Sequence, residues 1–187
     1  MLLTEEYFKK HDELTKKLDF KSLDQAANLV IETFQKGKQV FTCGNGGSAH
    51  TASHYITDWV KMAETTSGLK LHGYSLCDNI GMITAFANDV NYEEVFSGQL
   101  KSYLQEGDLV VAVSGSGNSP NVISAIEYAN KFNANTLAIV GYDGGKIKKI
   151  AKYNFHVPSF DMQLCEDIHL KFGHIVMKRI CNLPIRD

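Results

Sequence analysis

The sequence predicts an α/β fold: a three-layer α/β/α sandwich around a five-stranded parallel sheet, preceded by N-terminal helices. Short apolar segments alternate with longer amphipathic segments, which is the order expected of a parallel sheet whose crossovers are helices. The segment DLVVAVSG at 108–115 is apolar without alternation, as in strands covered on both faces. Glycine-rich turns follow two of the predicted strands and open helices, at the sheet edge where such folds bind ligands.

The first half of the chain begins with two amphipathic helices, and Ser22 is the expected start of the second. A short buried strand, KQVFTCG, comes next and leads into a helix that starts at Ser48. The predicted elements of this half are helices 4–18 and 22–36, strand 38–44, helix 48–62, strand 69–77 and helices 79–87 and 92–104.

The second half continues the alternation with three more strands. Pro120 is expected at the first position of a helix, where a missing N–H costs nothing, and Ser119 precedes it as a cap. The predicted elements are strand 108–115, helix 120–132, strand 135–141, helix 145–151, strand 153–158 and helix 161–182.

Composition excludes several classes of protein. A net charge of −2 argues against an extended nucleic-acid surface, which needs clustered Lys and Arg. The sequence contains neither an apolar run of roughly 20 residues, as a membrane span requires, nor the apolar core of a signal peptide at its start. The four cysteines lack CxxC spacing, so we expect reduced thiols in a cytoplasmic protein of one domain, residues 1–187.

The two glycine-rich segments, CGNGGS at 43–48 and SGSGNSPN at 114–121, predict binding of an anion. Their glycines permit positive φ angles and let backbone N–H groups approach a ligand closely. Ser48 is expected as a helix N-cap or hydroxyl donor, at the positive end of the helix dipole. Either loop alone is readily explained as a tight turn, but two such loops favour a phosphate or another anionic ligand.

Histidines and carboxylates at helical spacing indicate a possible divalent-metal site. His54 and Asp58 lie four residues apart and project from one helix face. Glu166 and His174 share the last helix but lie about 12 Å apart along it. Both reach one ion only if Glu166 extends from the helix start or if the residues meet across a subunit boundary. Zn²⁺ is the ion that such ligands suit best. Two further groups of this helix are expected at the surface or behind the ligands: Asp167 and His169.

The motifs CGNGGSA…H…D, SGSGNSPNV and CEDIHLKFGHIV resemble the sugar isomerase (SIS) domain family, in its phosphoheptose isomerase branch. The resemblance covers nearly the whole chain, including FANDVNYEEVFSGQL at 86–100. It implies a flavodoxin-like sheet and a homotetramer with active sites between subunits, residues 1–36 contributing to the assembly. It also implies isomerisation of sedoheptulose 7-phosphate to D-glycero-D-manno-heptose 7-phosphate through a cis-enediol, in heptose and polysaccharide biosynthesis.

Residue roles follow from the same resemblance. His54, Asp58, Glu166 and His174 would bind the metal, Zn²⁺ by expectation, where the family has His, Glu, Gln and His. Asp58 or Glu166 would act as the base, and His174 would move a proton between the substrate oxygens. The residues expected to contact the sugar phosphate are Asn45, Gly46, Gly47, Ser48, Ser114, Gly115, Ser116, Asn118 and Ser119.

Two other functions stay open at this point. The acidic changes at Asp58 and Glu166, and Leu164 where the family has an arginine, also fit an isomerase of arabinose 5-phosphate and ribulose 5-phosphate. Relatives without catalysis sense phosphosugars or bind the replication initiator protein DnaA. The histidines and carboxylates retained here favour an enzyme.

Overall fold

A computed structural model describes residues 2–183, so the outer ends of the predicted domain, 1 and 184–187, lie outside the described residues. The described residues form five strands, eight α-helices and one 3-10 helix, η1. The strands are β1 Val40–Gly44, β2 Gly73–Ser75, β3 Leu109–Ser114, β4 Asn135–Val140 and β5 Tyr153–His156. The helices are α1 Leu3–Thr15, α2 Phe20–Gln35, α3 Gly47–Ser67, α4 Ile80–Asp89, η1 Tyr92–Glu94, α5 Ser97–Tyr103, α6 Pro120–Lys131, α7 Gly145–Ile150 and α8 Met162–Cys181.

The five strands form one parallel sheet in the order β2-β1-β3-β4-β5, which confirms the predicted flavodoxin-like α/β fold. The chain moves outward from β1 to β2 and then returns to place β3 on the other side of β1. The strand order therefore reverses between β1 and β3. Ligands of open α/β sheets bind in the crevice at the carboxyl ends of such strands.

Hydrophobic side chains on both faces of the sheet create two cores. Successive residues of β3 face opposite sides, so Val111 packs with α2, α3 and α8 while Val110 packs with α5, α6 and α7. The strand is buried along its whole length, as its unalternating sequence predicts. Helix α2 belongs to the first core through residues such as Val30 and Phe34, whereas α1 buries only His11 and Leu14.

The structure shifts two predicted boundaries on either side of Gly68. Helix α3 continues to Ser67, five residues beyond the predicted end at Met62, because Gly68 is the residue that takes the left-handed conformation (φ 63°). Residues 69–72 then connect the end of this longer helix to the edge of the sheet, so β2 spans Gly73–Ser75 rather than the predicted 69–77. The predicted helix 92–104 is divided into η1 and α5.

Two predicted helix caps were wrong in their residue, and a third has the predicted residue without a capping hydrogen bond. Asp19, not Ser22, caps α2 by accepting from the Lys21 and Ser22 N–H groups. The N-cap of α3 is Gly46, and Ser48 is the second helical residue. Ser119 is the N-cap residue of α6, as predicted, but its hydroxyl makes no capping hydrogen bond.

The four cysteines are free thiols. Burial raises the pKa of Cys43, and Cys77 beside it adds to the shift, so this thiol stays protonated. Within residues 2–183, no helix combines the length and the apolar character that crossing a bilayer requires.

Candidate active site

The first glycine loop joins β1 to α3 at the crevice where the strand order reverses. Gly46 has φ 55° and accepts from the Ala49 N–H group at 3.0 Å, which closes the first turn of α3. A Cβ atom at Gly44 would lie 2.7 Å from the Ser48 carbonyl oxygen, so this turn requires glycine. Ser48 is buried beneath it. The loop therefore holds the N-terminus of a long helix at the carboxyl edge of the sheet.

The second glycine loop, between β3 and α6, is stabilised by its own serines. The Ser114 hydroxyl accepts from the Gly117 N–H group at 3.1 Å, and the Ser116 hydroxyl accepts from the Asn118 N–H group at 3.3 Å. Ser119 is half-buried at the start of α6. Ser114 is buried, and Asn118 is exposed at the tip of the loop.

A third loop, between β4 and α7, supports the second one from behind. Gly117 has φ 66°, and a Cβ atom there would lie 2.1 Å from the Gly144 carbonyl oxygen. The Asn118 side chain accepts from the Lys146 N–H group at 3.0 Å, and the Gly141 N–H group donates to the Gly115 carbonyl at 3.0 Å. These contacts leave the serine loop little freedom to move.

His54 and Asp58 of α3 meet His174 of α8 within a single chain. Asp58 Oδ2 lies 3.1 Å from His54 Nε2 and 3.8 Å from His174 Nε2, and the two Nε2 atoms are 3.3 Å apart. One ligand atom from each residue lies within 4.8 Å of the others. Tetrahedral ligands of Zn²⁺ are separated by roughly 3.4 Å, given bonds of about 2.1 Å. The donor atoms therefore fit a divalent ion, and both imidazoles are 45% exposed to an incoming ligand.

Glu166, the fourth predicted ligand, does not belong to that group of three. Its carboxylate lies against the first glycine loop, where a Cβ atom at Gly47 would be 2.8 Å from Glu166 Oε1. The negative charge thus lies beside the positive end of the α3 dipole. Eight residues separate Glu166 from His174 along α8, and the two helices run in the same direction, so Glu166 lies near the start of α3 and His174 farther along it.

Asp167 and His169 of α8 differ from each other in burial and in hydrogen bonding. Asp167 is exposed and accepts from the Tyr7 hydroxyl at 2.6 Å, a hydrogen bond that raises the pKa of Tyr7 to about 12. His169, expected at the surface or behind the ligands, is fully buried, and within residues 2–183 neither of its ring nitrogens has a hydrogen-bond partner. Burial lowers the pKa of His169 to about 4. The nearby Val140 backbone favours the charged ring and so acts to raise the pKa of His169, but it does not meet the geometry of a hydrogen bond to the ring.

Sequence reasoning missed Asn121 and Tyr92, which hold the first glycine loop in place. The Asn45 and Asn121 side chains exchange two hydrogen bonds, of 2.9 and 2.8 Å. The Tyr92 hydroxyl donates to Asn45 Oδ1 at 3.1 Å. Both lone pairs of this oxygen are therefore used, and Asn45 keeps one N–H for a ligand. In the sequence, the one signal that could have pointed to Asn121 was its position directly after Pro120, within the second glycine-rich motif.

Comparison with known proteins gives a consistent result. A family model described as SIS domain matches residues 6–141. The phosphoheptose isomerase of Aliarcobacter butzleri is 34% identical over 160 residues, covering 86% of this chain and 84% of the relative. That of Helicobacter pylori is 36% identical over 182 residues, covering 94% and 92%. The structure of phosphoheptose isomerase GmhA from Neisseria gonorrhoeae aligns with TM-score 0.87 and 27% identity, over 96% of this chain and 97% of that one.

Proposed function

The chain belongs to the SIS domain family, in its phosphoheptose isomerase branch, and on that premise we propose that it isomerises sedoheptulose 7-phosphate to D-glycero-D-manno-heptose 7-phosphate. The single observation that carries the proposal is the convergence of His54, Asp58 and His174 within 4.8 Å. A phosphosugar-binding protein without catalysis has no need of such a group. Both glycine loops lie at the same edge of the sheet.

The serine loop is the proposed phosphate site. Backbone N–H groups, serine hydroxyls and the start of α6 attract an anion there without a lysine. The Gly115 carbonyl accepts a hydrogen bond from the Gly141 N–H group. The Ser114 and Ser116 hydroxyls each accept from a backbone N–H group of the loop and so fix its turn. Binding at the phosphate end fixes the orientation of the reacting carbons, which is where much of the rate enhancement of such reactions arises.

His54, Asp58 and His174 are the residues that would hold a divalent ion, for which we propose Zn²⁺. When bound, such an ion stabilises negative charge on the substrate oxygens at C1 and C2. Asp58 would then be bound to the ion, so Glu166 is the carboxylate that would remain to move the proton between C1 and C2. His174 Nε2 faces the ion site, so any proton that His174 transfers between the two oxygens would be carried by its other ring nitrogen, Nδ1.

The assembly is a further part of the proposal. We infer a homotetramer in which residues 1–36 contribute to subunit contacts, because α1 exposes Leu3 and Phe8 at 82% and 66%. Three members of the predicted quartet already meet in one chain, so a neighbouring subunit is not needed to bring His174 to α3.

Turnover of sedoheptulose 7-phosphate tests the proposal directly. Incubation in D₂O with added Zn²⁺, followed by NMR, should show the aldose product with deuterium at C2. The substitution His174→Gln should lower kcat by about 10²–10⁴-fold, the usual contribution of a positioned acid or base. The matched control, His72→Gln, changes an exposed histidine in the segment between α3 and β2 and should leave kcat unchanged.

The same assay separates the alternatives. Faster conversion of arabinose 5-phosphate than of the seven-carbon sugar would replace the proposed substrate by a shorter one. Binding of phosphosugars without any turnover, with Zn²⁺, Mn²⁺ or Co²⁺ present, would contradict an enzymatic function. Full activity of the His174→Gln variant would remove that residue from the mechanism.

A further inference from the structure

Asn121 links the two glycine loops, although it lies outside every motif position assigned to the substrate. It is the second residue of α6, directly after the serine loop, and only 1% of its surface is exposed. Its side chain spans 76 residues of sequence to reach Asn45 in the first loop, with two hydrogen bonds of 2.9 and 2.8 Å. A buried amide that bonds another loop twice transmits the position of one loop to the other.

The orientation of the Asn121 amide is fixed by its own helix. Asn121 Oδ1 accepts from the Val122 N–H group at 3.0 Å and from Asn45 Nδ2. Its Nδ2 group therefore has to face Asn45 Oδ1. A second donor, the Tyr92 hydroxyl, completes the set on that oxygen. The junction thus joins three segments: the first loop, η1 and the start of α6.

We propose that Asn121 is a positioning residue, which sets the distance between the phosphate held at the serine loop and the reacting carbons held beside α3. The inference rests on the proposed function, because it takes His54 and Asp58 as part of the reacting site. The first loop starts the helix that carries both residues. The phosphate loop leads directly into the helix that carries Asn121. A substrate bridging the two loops reacts only when their separation matches its length.

Asn121→Asp is the sharpest variant. Aspartate has the same size and keeps the acceptor for Val122 N–H and Asn45 Nδ2, but it loses the donor and sets an oxygen against Asn45 Oδ1. We expect kcat for sedoheptulose 7-phosphate to fall by about 10–100-fold, the loss typical of misplacement by an ångström or less. KM should change by less than about threefold, because the phosphate loop itself is intact.

Asn130→Asp is the matched control on the same helix. Asn130 is half-buried, donates to the Ile150 carbonyl at 2.8 Å and accepts from the Thr136 hydroxyl at 2.9 Å, at the far end of α6. The substitution also deletes an amide donor on the same helix, but it leaves the junction untouched. Its kcat and KM should match those of the unmodified protein. Tyr92→Phe, at a residue 55% exposed, should fold normally and lower kcat in the same direction by a smaller factor.

Hydrogen exchange of residues 43–49 gives a readout that does not depend on activity. Asn121→Asp should speed exchange in this loop, which is remote in sequence, and Asn130→Asp should not. Unchanged exchange in Asn121→Asp, or equal losses of kcat in both variants, would overturn the inference. If the unmodified protein converts no sedoheptulose 7-phosphate, the proposed function fails, and the exchange rates alone decide whether Asn121 couples the loops.

Discussion

Asp58 carries the carboxylate of the histidine–carboxylate group on a side chain one methylene shorter than that of a glutamate. It still lies 3.1 Å from His54 Nε2 and 3.8 Å from His174 Nε2, because the two imidazoles converge on it. With Glu166 outside this group, the three ligands carry one negative charge rather than two. A divalent ion held by them keeps net positive charge, which is the property that stabilises an enediolate.

His169 makes the stability of the fold depend on pH. Its pKa is about 4 in the folded protein, below the ordinary value of 6.5, because burial disfavours the charged ring. The unfolded chain therefore binds more protons between these values, and the free energy of unfolding falls as the pH drops from 6.5 towards 4. We expect His169 to contribute a loss of about 3 kcal/mol by pH 4, and none above pH 7.

Urea unfolding at a series of pH values checks this expectation. His169→Leu removes the titrating ring and two unpartnered nitrogens, so its stability should vary less between pH 6.5 and 4. His72→Leu, which changes an exposed histidine, should keep the slope of the unmodified protein. Parallel curves for His169→Leu and the unmodified protein would contradict the assignment.

The contact between α3 and α8 holds the histidine–carboxylate group together. A Cβ atom at Gly173 would lie 2.3 Å from Tyr55 Cδ1, and the Trp59 indole donates to the Gly173 carbonyl at 2.9 Å. Gly173→Ala should therefore destabilise the protein by about 1–2 kcal/mol, since overpacking outweighs the gain of up to about 1 kcal/mol in helix propensity. Chemical denaturation measures the difference in free energy of unfolding.

The control for this helix contact is Gly81→Ala, in the first turn of α4. The added methyl group there would meet one atom, Asn79 Oδ1, at 3.3 Å, and the residue is exposed. Its stability should stay within about 0.5 kcal/mol of the unmodified protein. A Gly173→Ala variant as stable as Gly81→Ala would show that the two helices separate without cost.

Local sequence patterns predicted most helices and strands, whereas the features that they missed depend on contacts between segments distant in sequence. The apolar run of β3 and the glycine loops follow from neighbouring residues, so the strand, its burial and the loop positions were predictable. The partners of Asn121 and the burial of His169 depend on segments far away in sequence. Glu166 shows the same limit: helical spacing gave its separation from His174 but not its place beside Gly47.

At the scale of the whole molecule, the sheet brings the two loops together before any side chain acts. β1 and β3 are neighbours, with Gly44 paired to Val113, so the loops that follow them start side by side. Helix α3 then leads away from this edge with His54 and Asp58, and α8 runs beside it in the same direction with His174. The topology thus separates the two glycine loops, at the edge of the sheet, from the histidine–carboxylate group farther along α3.

The surface of the molecule carries an apolar helix, α4, that one chain covers only in part: Phe86 packs against the second core, but other side chains remain exposed. None of the ten residues of α4 is buried, and Ile80 is 73% exposed. In the proposed homotetramer a second copy covers this face. The helix start does not depend on Ile80, because Asn79 Oδ1 accepts from the Met82 N–H group at 3.0 Å.

Ile80→Lys should therefore break the assembly while each chain stays folded, since a charge placed in an apolar contact opposes association. Light scattering coupled to gel filtration should give four times the chain mass of 20.8 kDa for the unmodified protein and a smaller mass for the variant. Phe132→Lys, at a residue 51% exposed just after α6, changes a comparable side chain at the opposite edge of the sheet and should leave the mass unchanged. A monomeric unmodified protein, or an Ile80→Lys variant that keeps the full mass, would show that α4 faces solvent rather than another subunit.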